Sequence, residues 1–135
     1  MEKWHAYNKI KLQIEIVDSF IGGNQELKIY FTDKEKSKWL LYFDLVWDFR
    51  YAIENAFLGK CAYMRQQKYA WIEDSSIYIV ENSKYIKYFE EQVSGTCPSD
   101  DLKHFLIFDE IDTGIEILAC KEPVLSLVTS TQAQA

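Results

Sequence analysis

Every second residue from Ile10 to Ile16 is aliphatic (Ile10, Leu12, Ile14, Ile16), and Lys9, Lys11, Gln13 and Glu15 lie between them. Side chains alternate across a pleated strand, so this spacing predicts a half-buried strand over 9–17. The pattern returns in 26–32 through Leu27, Ile29 and Phe31. Between the two, DSFIGGNQ contains Gly22-Gly23-Asn24, which tolerates positive φ and reads as a hairpin loop. TDKEKSK is a polar turn. From Trp39 the alternation is longer still. Trp39, Leu41, Phe43, Leu45, Trp47, Phe49 and Tyr51 share one register, and Asp44, Asp48 and Arg50 fall on the other. This predicts a single core strand over 39–51 with a polar stripe on its far face, passing into a short helix over 52–59 that Gly59 ends.

Beyond it, KYAWIED and SIYIVEN read as two strands. Asn82 or Ser83 is placed to cap a helix over 83–95, with Tyr85, Ile86, Phe89 and Val93 as its apolar stripe and Lys84, Lys87, Glu90 and Glu91 facing water. LKHFLIFDE and GIEILAC then form a last hairpin around EIDTG. The element order is β-β-β-α-β-β-α-β-β. Most links are hairpins and β-α alternation is absent. The expected fold class is therefore α+β: a mainly antiparallel sheet of about six to seven strands with two helices packed on one face. The expected organisation is one domain over 1–125, with 126–135 a flexible tail.

At 135 residues the chain is long enough to bury a core without disulfides or metals. Cys61, Cys97 and Cys120 are odd in number and far apart, as expected for reduced thiols. The opening MEKWHAYNKIKLQ has no apolar signal region and no apolar run reaches membrane-spanning length, so a cytoplasmic protein with no membrane association is expected. The net charge of −6 is uneven. Residues 1–67 carry ten basic and nine acidic side chains, whereas residues 68–135 carry five and twelve. That distribution disfavours nucleic acid as a partner and favours a basic protein.

Candidate chemistry is sparse. His5 and His104 are the only histidines, no CxxC or HExxH is present, and DEIDTGIE puts Ile111 where a calcium loop needs a ligand. No cofactor and no metal site is expected. Gly22-Gly23 precedes no helix, so it is no phosphate cradle. Asp44 and Asp48, four apart on one strand, would stand about 13 Å apart, too far for a two-carboxylate glycosidase. Cys97 with His104 lacks any pattern of an activated thiol, and His104 alternates with Leu102, Leu106 and Phe108 as a core histidine does. Two groupings remain. Asp100, Asp101, Asp109, Glu110, Asp112 and Glu116, with tyrosines such as Tyr42, Tyr69 and Tyr78, have the composition of a partner-binding surface. Asp48, Arg50, Glu54 and His104 are the polar groups of an alternative pocket between sheet and helix.

The phrases FDLVWDFRYAIENAF (43–57), IYIVENSKYIKYFEEQ (77–92) and LKHFLIFDEIDTGIEIL (102–118) resemble small bacterial immunity proteins, the partners of polymorphic or contact-dependent toxins. The resemblance spans most of 40–120 and rests on structural motifs, so it carries no catalytic residue over. It implies a cytoplasmic, non-enzymatic protein that binds and blocks a toxin domain. The expectation is thus an acidic protein-binding domain; the alternative is a small-molecule-binding or enzymatic domain with a cleft between sheet and helix.

Overall fold

The computed structural model describes residues 2–7, 9–53, 76–93, 101–109 and 113–128. Nine strands and one helix lie among them: β1 (Lys3–Ala6), β2 (Ile14–Gly23), β3 (Glu26–Asp33), β4 (Lys38–Phe43), β5 (Val46–Ile53), β6 (Ile77–Glu81), α1 (Lys84–Val93), β7 (Lys103–Phe108), β8 (Thr113–Ala119) and β9 (Val124–Leu127). The fold is mainly antiparallel and broadly α+β. It differs from the expected single sheet in having two: a five-stranded sheet ordered β1-β6-β7-β8-β5 and a four-stranded sheet ordered β2-β3-β4-β9. One helix, not two, lies among the described residues. The segment expected to be helical enters as β5, which runs through Ile53; the remainder of that segment and the strand expected at KYAWIED lie outside the described residues.

The reason for two sheets sits in the long alternating stretch. The hydrophobic pattern continues past Asp44, but the strand does not. β4 ends at Phe43, Leu45 takes a positive φ of 50°, and the chain crosses to the other sheet as β5. The Asp44 carboxylate accepts the Leu45 N–H across this corner. A register shift between Val46 and Asp48 then re-aims the next residues. Trp47 packs on Phe89 of α1, whereas Phe49 points into the space between the sheets.

That space holds the main core. Leu27, Ile29, Phe31, Leu41 and Phe43 from one sheet meet Ile77, Phe105, Ile107, Ile115, Ile117 and Ala119 from the other, with Tyr7, Ile10 and Ile14 closing one end. Phe105 lies edge-on to both Phe43 and Tyr7. The five-stranded sheet is covered on its second face too, by α1 over Leu102 and Leu118 and by Trp4 over Tyr78, Val80 and Leu106. Tyr78, expected on a less buried register, is fully buried there. Burial on both faces explains the near-continuous apolar runs of β7 and β8.

β2 departs most from the sequence reading. It starts at Ile14 and runs through the segment expected to be a loop. The turn is Asn24-Gln25, both at positive φ, between the paired Gly23 and Glu26. Two register shifts, Ile14/Ile16 and Val17/Ser19, turn Ile16 outward while Val17 packs on the core, so the even-numbered face does not continue. Bulges free backbone donors. Residues flanking strands of the facing sheet take two of them: Ser76 Oγ, just before β6, accepts the Ile14 N–H at 2.8 Å and Asp109 Oδ2, just after β7, accepts the Val17 N–H at 2.9 Å. At the other terminus, Ser126 and Leu127 pair with β4 as part of β9, so the ordered chain runs past the expected boundary at 125.

Candidate functional site

Three residues of the alternative pocket converge on the helix-covered face of the five-stranded sheet. In the β5–β8 ladder Arg50 lies directly opposite Glu116, and in the β7–β8 ladder Leu106 opposes Glu116, which leaves His104 its diagonal neighbour. Arg50 Nη2 donates to Glu116 Oε2 at 2.5 Å, and His104 Nε2 meets Glu116 Oε1 at 3.2 Å. The other ring nitrogen, Nδ1, lies 2.7 Å from Ser83 Oγ. Ser83 is the N-cap of α1, its Oγ accepting the Ile86 N–H at 3.0 Å. A carboxylate only accepts, so the imidazole donates from Nε2 to Glu116, and in the neutral ring that leaves Nδ1 to accept from the Ser83 hydroxyl. His104, Glu116 and Ser83 are only 1%, 3% and 5% exposed.

Tyr85 completes the arrangement. Its ring lies edge-on to His104, and the Arg50 guanidinium stacks 3.7 Å above it. Its hydroxyl donates to Asp48 Oδ2 at 2.6 Å. Burial first, and then this bond to a carboxylate, push the phenol far above its ordinary value and keep it a neutral donor. Asp48 and Arg50, expected on the polar stripe of the strand, are thus paired with Tyr85 and Glu116. Glu54 lies outside the described residues.

A serine, a histidine and a glutamate in series have the composition of a nucleophilic triad, but not its working geometry. The serine hydroxyl is committed to capping a helix, and all three groups are enclosed. Among the described residues no buried side-chain nitrogen or oxygen lacks a partner. The arrangement does what a satisfied polar cluster does: it fixes α1 against β5, β7 and β8. His104, Arg50 and Asp48 stand out in the sequence as pocket candidates, whereas Glu116 reads there as a surface acid. The missing signal was the strand register that sets Arg50 opposite Glu116.

The acidic set disperses. Asp101 is exposed. Asp109 holds the Val17 and Thr113 backbone N–H groups, and Glu116 is buried. Asp100, Glu110 and Asp112, like Cys97 and Tyr69, lie outside the described residues. Among the described residues no group of three His, Cys, Asp or Glu side chains is placed to hold a metal, and no helix is long and apolar enough to cross a membrane.

A different surface is open. The outer face of the four-stranded sheet presents Ile21, Tyr30, Leu40, Tyr42 and Val124, none of them buried. Tyr42 donates to Glu26 across the strands. Beside them is a shallow depression of about 250 Å³ lined by Asp18, Ser19, Tyr30, Lys38, Trp39 and Val128. Asp18 accepts from Thr32 Oγ1 at 2.8 Å and stands 3.6 Å from Lys38 Nζ. Comparison with known protein families, curated proteins and solved structures gives no match.

Proposed function

We propose that this chain is a non-enzymatic protein-binding domain whose partner is a basic protein. The observation that carries this reading is the outer face of the four-stranded sheet, where Ile21, Tyr30, Leu40, Tyr42 and Val124 lie beside a depression lined by Asp18, Tyr30 and Lys38. Half-exposed aromatics with polar neighbours are the usual anchors of a protein interface. The net charge of −6 favours encounter with a positively charged partner. The immunity-protein resemblance points the same way and makes a toxin domain the expected partner. The acidic set contributes less than its sequence clustering implies, because Asp109 and Glu116 are engaged within the fold.

The alternative, a ligand-binding or catalytic domain, is favoured by one observation: Asp48, Arg50 and His104 do come together. Their mutual satisfaction argues for a structural role. Affinity capture of tagged protein from host lysate at low and high salt, followed by mass spectrometry, separates the two when run with two variants. A stoichiometric, salt-sensitive, basic partner that is lost with Ile21→Lys/Tyr30→Lys and retained with Glu116→Gln supports the binding role. A partner indifferent to the outer-face change, or none at all, overturns it.

A further inference from the structure

We propose that β9 is a self-pairing edge, through which two copies of this chain join their four-stranded sheets into one continuous eight-stranded sheet. This goes beyond the binding role above and does not depend on it.

Edge strands expose unpaired backbone groups, and proteins protect them with bulges, charges or proline. Among the described strands, three of the four edges are protected in this way. β2 carries two bulges with Glu15 and Asp18, β1 carries Lys3 and His5, and β5 has an irregular register with Asp48 and Arg50. β9 has regular pairing with β4 and no charged side chain. Its Val124 and Leu127 are 61% and 56% exposed.

The identity of the second strand is written in the sequence. Residues 124–128 read Val-Leu-Ser-Leu-Val, the same in both directions. In an antiparallel pair related by a twofold axis normal to the sheet at Ser126, Val124 meets Val128 of the second copy, Leu125 meets Leu127, and Ser126 meets itself. Opposed residues point to the same face of a sheet, so each apolar residue meets an apolar one. Leu125 packs on the core between the sheets, and the exposed Leu127 would come to lie beside Leu125 of the second copy.

The backbone agrees with this register. The Val128 N–H donates to the Lys38 carbonyl at 2.9 Å. Antiparallel ladders alternate direction residue by residue, so Val124, Ser126 and Val128 face β4 while the N–H and C=O groups of Leu125 and Leu127 face the open edge. An axis at Ser126 pairs Leu125 with Leu127 twice and uses all of those groups. An axis at Leu125 would instead oppose Leu127 to Pro123, which has no N–H to give.

Two experiments test this together. Sedimentation equilibrium from low micromolar to millimolar protein is expected to show a monomer–dimer equilibrium, and Val124→Lys/Leu127→Lys, with folding verified by circular dichroism, to weaken it at least about a hundredfold by setting charges against apolar neighbours. Ser126→Cys is expected to form a disulfide between the two copies at position 126 under mild oxidation, identified by peptide mapping, because opposed non-hydrogen-bonded residues sit about 4.5 Å apart between Cα atoms, within disulfide range. Val124→Cys is expected to give none, since its two copies would stand about 13 Å apart along the strands. A monomer at every concentration, a dimer untouched by the lysine substitutions, or cross-linking at 124 equal to that at 126 overturns the proposal.

Discussion

Ser83→Ala removes one oxygen and breaks two different bonds. The first is the helix cap, Oγ to the Ile86 N–H, and losing such a cap typically costs about 1 kcal/mol. The second is the bond to His104 Nδ1, on a ring that is 1% exposed. An orphaned buried acceptor costs about 1–3 kcal/mol. The expected loss is therefore about 2–4 kcal/mol, or a Tm lower by roughly 7–14 °C for a chain of this size. Urea denaturation measures it, and a double-mutant cycle with His104→Leu separates the two terms. In the leucine background no ring nitrogen is left to orphan, so Ser83→Ala should cost only the cap, about 1 kcal/mol, giving a coupling of about 1–3 kcal/mol. A total cost under about 0.5 kcal/mol, or the same cost in both backgrounds, would refute the account of Ser83 as the link between α1 and the buried cluster.

Gly22→Ala should destabilise by about 1–2 kcal/mol, because its Cβ would stand 3.0 Å from Phe49 Cε1, while Gly23→Ala, with nothing within 4 Å, should be near neutral; denaturant midpoints check the pair. Gln25→Gly should stabilise by about 0.5–1 kcal/mol, since the two-residue turn holds Gln25 at a φ of 62° that glycine adopts without strain; thermal melts read it. Asp33 is held below its ordinary value. Burial opposes this, but bonds from Trp39 and from the Ser37 and Glu35 backbone N–H groups outweigh it. A depressed acid stabilises the fold fully above its unfolded value and loses that contribution as the pH falls through its folded value. Stability should accordingly decline with acid below about pH 3.9, and Asp33→Asn should flatten that limb of an acid titration followed by tryptophan fluorescence.

Local pattern made β3, β6, β7, β8 and α1 legible, because each is a short run whose period survives intact in the fold. A cap at Asn82 or Ser83 and His104 as a satisfied core histidine were legible for the same reason. The division into two sheets was not. Apolar alternation through Phe43, Leu45 and Trp47 looks the same whether the strand continues or turns a corner, and the corner rests on one leucine with positive φ and one Asp side chain. The course of β2 was hidden by its bulges, each of which inserts a residue and reverses the alternation that sequence reasoning counts. Glu116 looked like one more surface acid because its burial follows from a long-range register, with Arg50 sixty-six positions away in the chain. β9 was hidden by its brevity.

The order in which strands join the four-stranded sheet bears on how the protein is made. β2, β3 and β4 are consecutive, but the strand that completes β4's other side is β9, about eighty residues further on. At roughly 5–20 residues per second, synthesis leaves the β4 edge without its neighbour for about 4–16 s. Throughout that interval the nascent chain presents Trp39, Leu41 and Phe43 beside an open row of backbone donors and acceptors. A ribosome-bound chaperone should find its strongest binding to nascent chains stalled after Phe43 has emerged and before Leu127 has, and release them once β9 is out of the tunnel.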